Sequence, residues 1–314
     1  MEKNKTKLAI FTFYRFVKID DKREIKSIVD EFLNERLIKG TILLANEGIN
    51  GSISGQYNHL SETIKILKRL LKIRKLEFKV NLINTIPFNR MKVRLKKEVV
   101  SLGKENIKVN NLNSSFVNPS EWNQLILRHD VKLIDTRNEY EIDIGSFKGS
   151  INPKTKTFRE FPNKLSKMGI NKDDKLAIFC TGGIRCEKAT AYLRKNGYKN
   201  VSQLRGGILN YLDYTKGEQN HSLWNGECFV FDDRVTVNKD LNKGKYLQCH
   251  GCRHPITIKD TYLKSYKKGI TCRYCINKRT KIQKFRSKTR QDQIDYAESK
   301  GISHSFKKIK SIDF

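Results

Sequence analysis

The feature that most constrains the fold is a cysteine placed between an apolar strand and a helix. Lys175 to Phe179 has the pattern of a buried strand, and Glu187 to Asn196 has that of a helix ending near Gly197. Open α/β sheets bind ligands at the carboxyl ends of their strands. The intervening loop is therefore predicted to be a ligand-binding loop in an α/β domain. Its residues are Cys180, Thr181, Gly182, Gly183, Ile184, Arg185 and Cys186.

The composition of this loop indicates a catalytic thiolate at Cys180. Backbone N–H groups of the loop, the positive end of the following helix and the Arg185 guanidinium all favour an anion and would lower the cysteine pKa. The alternative is a small buried residue at the end of a core strand, where most free cysteines are found. A double glycine and an arginine serve no packing purpose there, so we favour the nucleophile.

The surrounding region alternates strands and helices. A second buried-type strand covers Lys132 to Ile134, and Asn118-Pro119 caps a helix ahead of it. This alternation predicts a mostly parallel sheet that is covered on both faces.

The first hundred residues predict a different domain, with the order β-α-β-β-α-β of a ferredoxin-like sandwich. The predicted strands are Lys7 to Val17, Thr41 to Ala45, Ile49 to Ser54 and a strand near Phe78 to Ile83, and the helices are Arg23 to Leu37 and Tyr57 to Leu71. The overall fold class is thus α/β with an α+β domain in front.

A strictly alternating segment from Arg90 to Lys97 follows this domain. As a strand it would place Arg90, Lys92, Arg94 and Lys96 on one face. These four cations could follow the phosphates of a nucleic acid, or they could protect a solvated sheet edge from pairing. The sequence leaves both interpretations open, and the polar stretch Asn110 to Ser115 beyond it predicts a linker.

Four cysteines in the last third of the chain predict a structural zinc site. Two Cys-x-x-Cys pairs are separated by a zinc-knuckle spacing, and their members are Cys249, Cys252, Cys272 and Cys275. Four thiolates make a closed tetrahedral site with no position for water or substrate. Four unrelated thiols are the alternative, and His250 or His254 could replace one ligand, although we expect both at the surface nearby.

The charge of the chain points to a polyanionic partner. Lys and Arg number 63 against 33 Asp and Glu, a net charge of +30, and an acid-free basic run from Lys278 to Arg290 follows the second cysteine pair. Tyr274 and Phe285 are available to stack on unpaired bases. A solvated basic tail, or a general lysine bias, is the alternative.

The cysteines and the N-terminus indicate the cytoplasm. The first residues lack the long apolar core and cleavage site of a secretory signal, and no stretch has the length of a membrane span, so no membrane partner is expected. Seven cysteines without an export signal fit a reducing compartment, where thiols serve as ligands or catalysts.

The residues around Cys180 resemble those of rhodanese domains. The active-site loop of that family, Cys-x-x-Gly-x-Arg, is matched by Cys180, Gly183 and Arg185. The segment Leu204 to Ile208 resembles the motif behind the loop. The signature ahead of the loop is matched by Leu133 to Arg137, Glu141, Gly145, Phe147, Gly149, Ser150 and Asn152.

Three longer segments resemble the oxygen-dependent tRNA uridine(34) hydroxylases. They are Asn46 to Gly55, Cys180 to Ala189 and Gly226 to Val235, in the order of that family, and the resemblance covers nearly the whole chain. It implies three domains: a ferredoxin-like (acylphosphatase-like) domain at 1–112, a rhodanese domain at 113–218 and a zinc-binding basic module at 219–314.

The resemblance also implies the activity. The wobble uridine of certain tRNAs would be oxidised to 5-hydroxyuridine with O2 as co-substrate, the tRNA anticodon loop would be the partner, and Cys180 would be the required cysteine. Cys186 matches the second cysteine of the loop. No flavin, nicotinamide, haem or iron-site motif is recognisable, so the sequence identifies no organic cofactor.

One mechanism is consistent with these residues. The Cys180 thiolate would add to C6 of the uracil and raise the electron density at C5, while Gly182, Gly183 and Arg185 stabilise developing charge. Cys186 would either resolve an oxidised Cys180 or pack inward, and Cys228 is predicted to be core. The predicted substrate contacts are Asp135, Arg137, Arg90, Lys92, Arg94 and Lys96.

Two other functions share this loop. A sulfurtransferase would carry a persulfide on Cys180 and pass the sulfur to a tRNA or to a small acceptor. A non-catalytic RNA-binding regulator would use a degenerate rhodanese domain, but the intact cysteine counts against it.

Overall fold

The computed structural model describes residues 7–104, 107–109, 115–217 and 222–301. The chain divides into two compact units, one formed by Met1–Val99 with Phe285–Phe314 and the other by Val100–Lys284. Within the described ranges, no helix is both long enough and apolar enough to cross a lipid bilayer.

The first unit contains a five-stranded sheet and two helices that follow the predicted order. The elements are β1 (Leu8–Phe16), α1 (Lys22–Glu35), β2 (Lys39–Ala45), β3 (Gly48–Gln56), α2 (Tyr57–Leu70), β4 (Phe78–Ile83) and β5 (Met91–Leu95). The sheet order is β4-β1-β3-β2-β5, antiparallel except for the parallel pair β2 and β5. The ferredoxin-like prediction is confirmed, and β5 extends its edge.

Amphipathic helices build the core of this unit. In α1, Ile25, Val29 and Leu33 are buried at helical spacing, and the Asp21 carboxylate caps the helix by accepting from the N–H groups of its first turn. The apolar face of α2 is buried in the same core as the inward side chains of β1, such as Phe11.

Strand β5 has the alternation that was predicted for the basic segment. Val93 is buried in the core of the unit, so its neighbours Lys92 and Arg94 lie on the opposite face of the strand. Arg90 and Lys96 flank the strand and are exposed. A role for these four cations in substrate binding stays a prediction.

The second unit begins with a parallel sheet. Its elements are β6 (Phe116–Val117), α3 (Pro119–Ile126), β7 (Val131–Asp135), α4 (Glu139–Ile142), β8 (Gly145–Phe147), α5 (Phe161–Leu165), β9 (Lys175–Phe179), α6 (Ile184–Lys195), β10 (Val201–Leu204) and α7 (Gly207–Tyr214). The strands β6-β10-β9-β7 are parallel throughout. Alternate residues of β9 enter two different apolar clusters, so the sheet is covered on both faces as predicted.

The cysteine-rich part of the second unit is built from short antiparallel pairs. These are β11 (Trp224–Gly226) with β8, β12 (Cys228–Phe229) with β13 (Thr236–Val237), and β14 (Leu247–Gln248) with β15 (Pro255–Ile256). A final helix, α8 (Lys281–Ser299), crosses the division between the two units.

The division of the chain differs from the predicted domain boundaries. Both predicted boundaries, 112/113 and 218/219, and residues 110–114 of the predicted linker lie outside the described residues. The structure assigns Val100 onwards to the second unit because Leu102 is buried in the core beside the parallel sheet and the Lys188 ammonium donates to the Val100 carbonyl at 3.1 Å. The three-domain division stays a prediction.

Candidate functional site

The predicted cysteine loop joins β9 to α6 at the carboxyl end of the parallel sheet. Cys180 follows the last residue of β9 and is 1% exposed. Gly183 is the N-cap of α6 with φ of +104°, a backbone conformation that glycine adopts without strain. This conformation directs the Gly183 N–H at the Cys180 sulfur, with N and Sγ 3.1 Å apart.

A second glycine, Gly207 at the start of α7, lets α7 pack closely against the cysteine loop. The first turn of α7 donates to the loop, from Ile208 N–H to the Cys180 carbonyl at 2.9 Å and from Leu209 N–H to the Thr181 carbonyl at 3.1 Å. A Cβ atom on Gly207 would lie 2.4 Å from the Cys180 carbonyl oxygen and 2.7 Å from that of Thr181. Glycine is therefore required here by the close approach of two backbones.

The environment of Cys180 favours its ionised form. Burial raises its pKa, but a hydrogen bond from the Cys186 thiol, the charge of Arg185 and the N–H groups of Cys186 and Gly183 outweigh burial and lower the pKa to about 6. Burial and the neighbouring Cys180 sulfur raise the pKa of Cys186, so the proton stays on that sulfur. The Cys186 Sγ also lies 3.6 Å from the Thr136 hydroxyl. At neutral pH the pair holds one thiolate, on Cys180.

The Arg185 guanidinium forms an ion pair with the Glu141 carboxylate. Its two terminal nitrogens donate to the two oxygens of Glu141 at 2.7 and 2.8 Å, and one of them also reaches the Thr181 hydroxyl at 3.3 Å. Both side chains of the ion pair are buried. We predicted that Arg185 lowers the Cys180 pKa and stabilises developing charge on the base or on a peroxide. The structure shows Arg185 joining the cysteine loop to α4 through Glu141, which partly balances its charge while the guanidinium still lowers the Cys180 pKa; its role during the reaction stays a prediction.

The role of Glu141 was not recognised from the sequence, although the residue belongs to the quoted signature. Its carboxylate also accepts from the Asn138 N–H at 3.1 Å, in the capping box that begins α4. The Asn-x-x-Glu spacing was a detectable sign of the cap, but not of the pairing with Arg185.

Asp135 and Arg137 are corrected from substrate contacts to structural residues. Both side chains are fully buried and form a bidentate ion pair, with N–O distances of 2.9 and 2.6 Å. The Arg137 guanidinium also donates to the Gly145 carbonyl at 2.6 Å and faces the Trp224 ring. A substrate cannot reach groups that are buried and already hydrogen-bonded.

The remaining loop residues show where the site opens. Thr181 is nearly buried, Gly182 and Ile184 are half-buried, and a Cβ added to Gly182 would meet no atom within 4 Å. The loop is therefore open at Gly182. Cys228 is fully buried in a hydrophobic cluster, and burial raises its pKa to about 12, so it is an inert core residue as predicted.

The four predicted metal ligands converge. The sulfur atoms of Cys249, Cys252, Cys272 and Cys275 all lie within 4.8 Å of one another, with Sγ–Sγ distances of 3.7, 3.9 and 4.0 Å for three of the pairs. A tetrahedral ion with metal–sulfur bonds of ~2.3 Å has edges of about 3.8 Å. The cluster can hold a metal ion. His250 is exposed, and the His254 ring stacks on Tyr274 at 4.1 Å.

Two family models match the chain. Residues 8–99 match the UPF0176 acylphosphatase-like domain, and residues 118–213 match the rhodanese-like domain. This is the domain architecture of the UPF0176 family of tRNA uridine(34) hydroxylases. Within the UPF0176 architecture, the first model covers the ferredoxin-like sheet, and the second covers the parallel sheet with the Cys180 loop.

Several solved structures are similar to part of the chain. A rhodanese-related protein from Thermoplasma volcanium is 24% identical over 31% of this chain and 90% of its own, with a TM-score of 0.26. A rhodanese-like domain protein from Staphylococcus aureus is 23% identical over 31% and 90%, with a TM-score of 0.27. An uncharacterised protein from Saccharomyces cerevisiae is 21% identical over 34% and 97%, with a TM-score of 0.29.

Proposed function

We propose that this protein hydroxylates the wobble uridine of tRNA at C5, with O2 as the oxidant and Cys180 as the nucleophile. The observation that supports this proposal is a thiolate held at neutral pH in the cysteine loop of a chain with the UPF0176 architecture. A rhodanese-type fold alone would not identify the substrate, since one fold serves many functions.

The thiolate of Cys180 adds to C6 of the uracil, and the electron pair of the C5–C6 double bond moves to C5. One oxygen atom of O2 is then transferred to C5, and the other leaves as water, with two electrons and two protons from a thiol reductant. Loss of the proton at C5 expels the Cys180 thiolate and restores the double bond. The Gly183 N–H, which donates to the resting thiolate, remains available to the sulfur as it leaves.

RNA as the substrate is supported by the charge of the cysteine-rich part of the second unit, which we call the cysteine-rich module. The segment from Lys243 to Lys284 has a single acidic residue, Asp260, among many lysines and arginines. Asp260 is buried and its carboxylate pairs with Arg273 at 3.0 Å, so it adds no exposed negative charge. Such a surface attracts the phosphate backbone. A base in the anticodon loop is already unpaired and can enter a pocket at modest cost.

We infer that zinc is the metal of the four-cysteine cluster. Four thiolates at tetrahedral separations are the ligand set that zinc prefers in structural sites, and they leave no open coordination position for chemistry. The four cysteines would hold the module in shape, and they would take no part in the reaction at Cys180.

The test is nucleoside mass spectrometry on tRNA incubated with the purified protein, a thiol reductant and air. Uridine should gain one oxygen only in air and only with the intact thiol. Cys180→Ser should form no product while binding tRNA normally, and Cys228→Ser serves as the matched cysteine control because that thiol is buried in the core. Product formed by Cys180→Ser would refute the proposed nucleophile.

A sulfurtransferase is the second candidate, because the rhodanese-like match and the backbone donors of the loop also suit a persulfide on Cys180. It predicts cyanide-titratable sulfur on Cys180 and a thiolated nucleoside in the same assay. That outcome would replace the hydroxylase proposal.

A further inference from the structure

A cavity of about 120 Å³ lies between α4 of the parallel-sheet fold and the cysteine-rich module. Tyr140 of α4 contributes one wall, and Tyr246, His254 and Tyr274 contribute others. Tyr140 directly precedes Glu141, whose carboxylate holds Arg185 of the cysteine loop. The cavity is thus separate from the Cys180 site but shares with it one short helix.

The aromatic walls are fixed in place by packing. The His254 ring stacks on Tyr274 with centroids 4.1 Å apart, and the Tyr140 ring packs against His254 at 5.6 Å and Phe229 at 5.2 Å. The Arg273 guanidinium lies 4.6 Å from the centre of the Tyr274 ring and is held by Asp260. Rigid aromatic and guanidinium planes are the surfaces on which unpaired bases stack.

The acidic residue Asp143 also lines the cavity. Asp143 is exposed, and its side chain makes no hydrogen bond or ion pair with any residue in the part of the chain that the structure describes. On a chain of net charge +30, most exposed acids reduce the attraction for RNA. A carboxylate beside aromatic walls can instead accept hydrogen bonds from the N–H edge of a base.

We propose that this cavity binds one unpaired base of the RNA substrate, stacked on the aromatic walls with an N–H edge directed at Asp143. The base would be a neighbour of the one that reaches Cys180, because consecutive residues of α4 serve the two sites. The size of the cavity suits a single ring system and excludes a folded RNA element. This inference rests on RNA being the substrate, as proposed above.

The test measures binding of an anticodon stem-loop RNA without turnover, by fluorescence anisotropy under anaerobic conditions. Asp143→Asn should weaken binding about tenfold, because a charge-assisted hydrogen bond is lost. A purely electrostatic role predicts the opposite, since the substitution removes a negative charge. Asp173→Asn is the matched control, because Asp173 is an exposed acid elsewhere in the same unit; its binding should be unchanged or slightly tighter.

A series of RNAs, each lacking one loop base, identifies the base that the cavity binds. At one position the abasic RNA should bind the wild-type protein about tenfold more weakly but should bind Asp143→Asn with little further loss, because base and carboxylate form one contact. Metal content should be equal in all variants. Equal or tighter binding by Asp143→Asn, or equal losses for every abasic RNA in both proteins, would overturn the inference.

The two proposals fail separately in this design. Base-dependent binding that needs Asp143, without any hydroxylated nucleoside, would refute only the proposed reaction. Hydroxylation without an effect of Asp143→Asn would refute only the base-binding cavity. An absence of RNA binding would refute both.

Discussion

Gly207→Ala should damage the cysteine loop without touching the thiol. Ala at φ of +66° costs about 1–2 kcal/mol in a left-handed conformation. Its Cβ would also lie 2.4, 2.7 and 2.8 Å from the backbone of Cys180, Thr181 and Gly182, so the loop or α7 must move, and overpacking of this kind costs about 1–3 kcal/mol. We expect a total loss of about 2–5 kcal/mol in the free energy of unfolding of the second unit.

Gly169→Ala separates the two contributions. Gly169 has φ of +63°, but a Cβ there meets no atom within 4 Å, so the substitution should cost only the conformational part. Urea unfolding and the pH dependence of Cys180 alkylation are measured for both variants. Gly207→Ala should be less stable than Gly169→Ala and should raise the Cys180 pKa, since the moved loop loses the Gly183 N–H donation. Equal stability and an unchanged pKa would refute this account of the loop.

Three further predictions concern the pKa of Cys180, the buried ion pair and the metal cluster. Because the thiolate is the reactive form, the alkylation rate of Cys180 should rise with pH, with a midpoint at about 6, and level off above it; a midpoint above 8 would contradict the proposed environment. Glu141→Gln should cost about 3–5 kcal/mol in urea unfolding, because it leaves a buried guanidinium without its carboxylate. Breaking the exposed pair of Arg128 with Asp130 should cost much less, because solvent screens that pair; an equal loss of stability in the two variants would contradict this account of Glu141. Emission spectrometry should find one zinc per chain, lost in Cys252→Ser; a full zinc content in that variant would argue against the four-cysteine site.

The helices and strands could be predicted because the hydrophobic pattern of each one is set by residues close together in the sequence. The helical spacing of Ile25, Val29 and Leu33 and the alternation around Val93 depend only on neighbouring residues, and the structure has both patterns. The Cys-x-x-Cys pairs were equally informative, because metal binding imposes the spacing within each pair. The position of Cys180 at the end of β9 followed from the same local reasoning.

Pairing between distant segments could not be predicted. Arg185 and Glu141 are separated along the chain by β8, α5 and β9, and the charge of the arginine alone suggested an anion-binding role. The prediction that Asp135 and Arg137 contact the substrate was wrong for a related reason. A charged residue beside a strand end is usually accessible, and the packing that buries Arg137, which includes Trp224 from a distant part of the chain, is not visible in the sequence.

These corrections change where the reactivity of Cys180 comes from. If Arg185 were unpaired, its charge would dominate the site and would attract any anion, including the phosphates of RNA. Glu141 partly balances that charge, so the thiolate is stabilised by the remaining Arg185 charge together with hydrogen bonds from the Cys186 thiol and backbone N–H groups. Such bonds act on an atom in contact with them and very little on a phosphate several ångströms away. The arrangement therefore favours a thiolate in the loop, and in the proposed function the attraction of the RNA backbone falls to the basic surface of the cysteine-rich module.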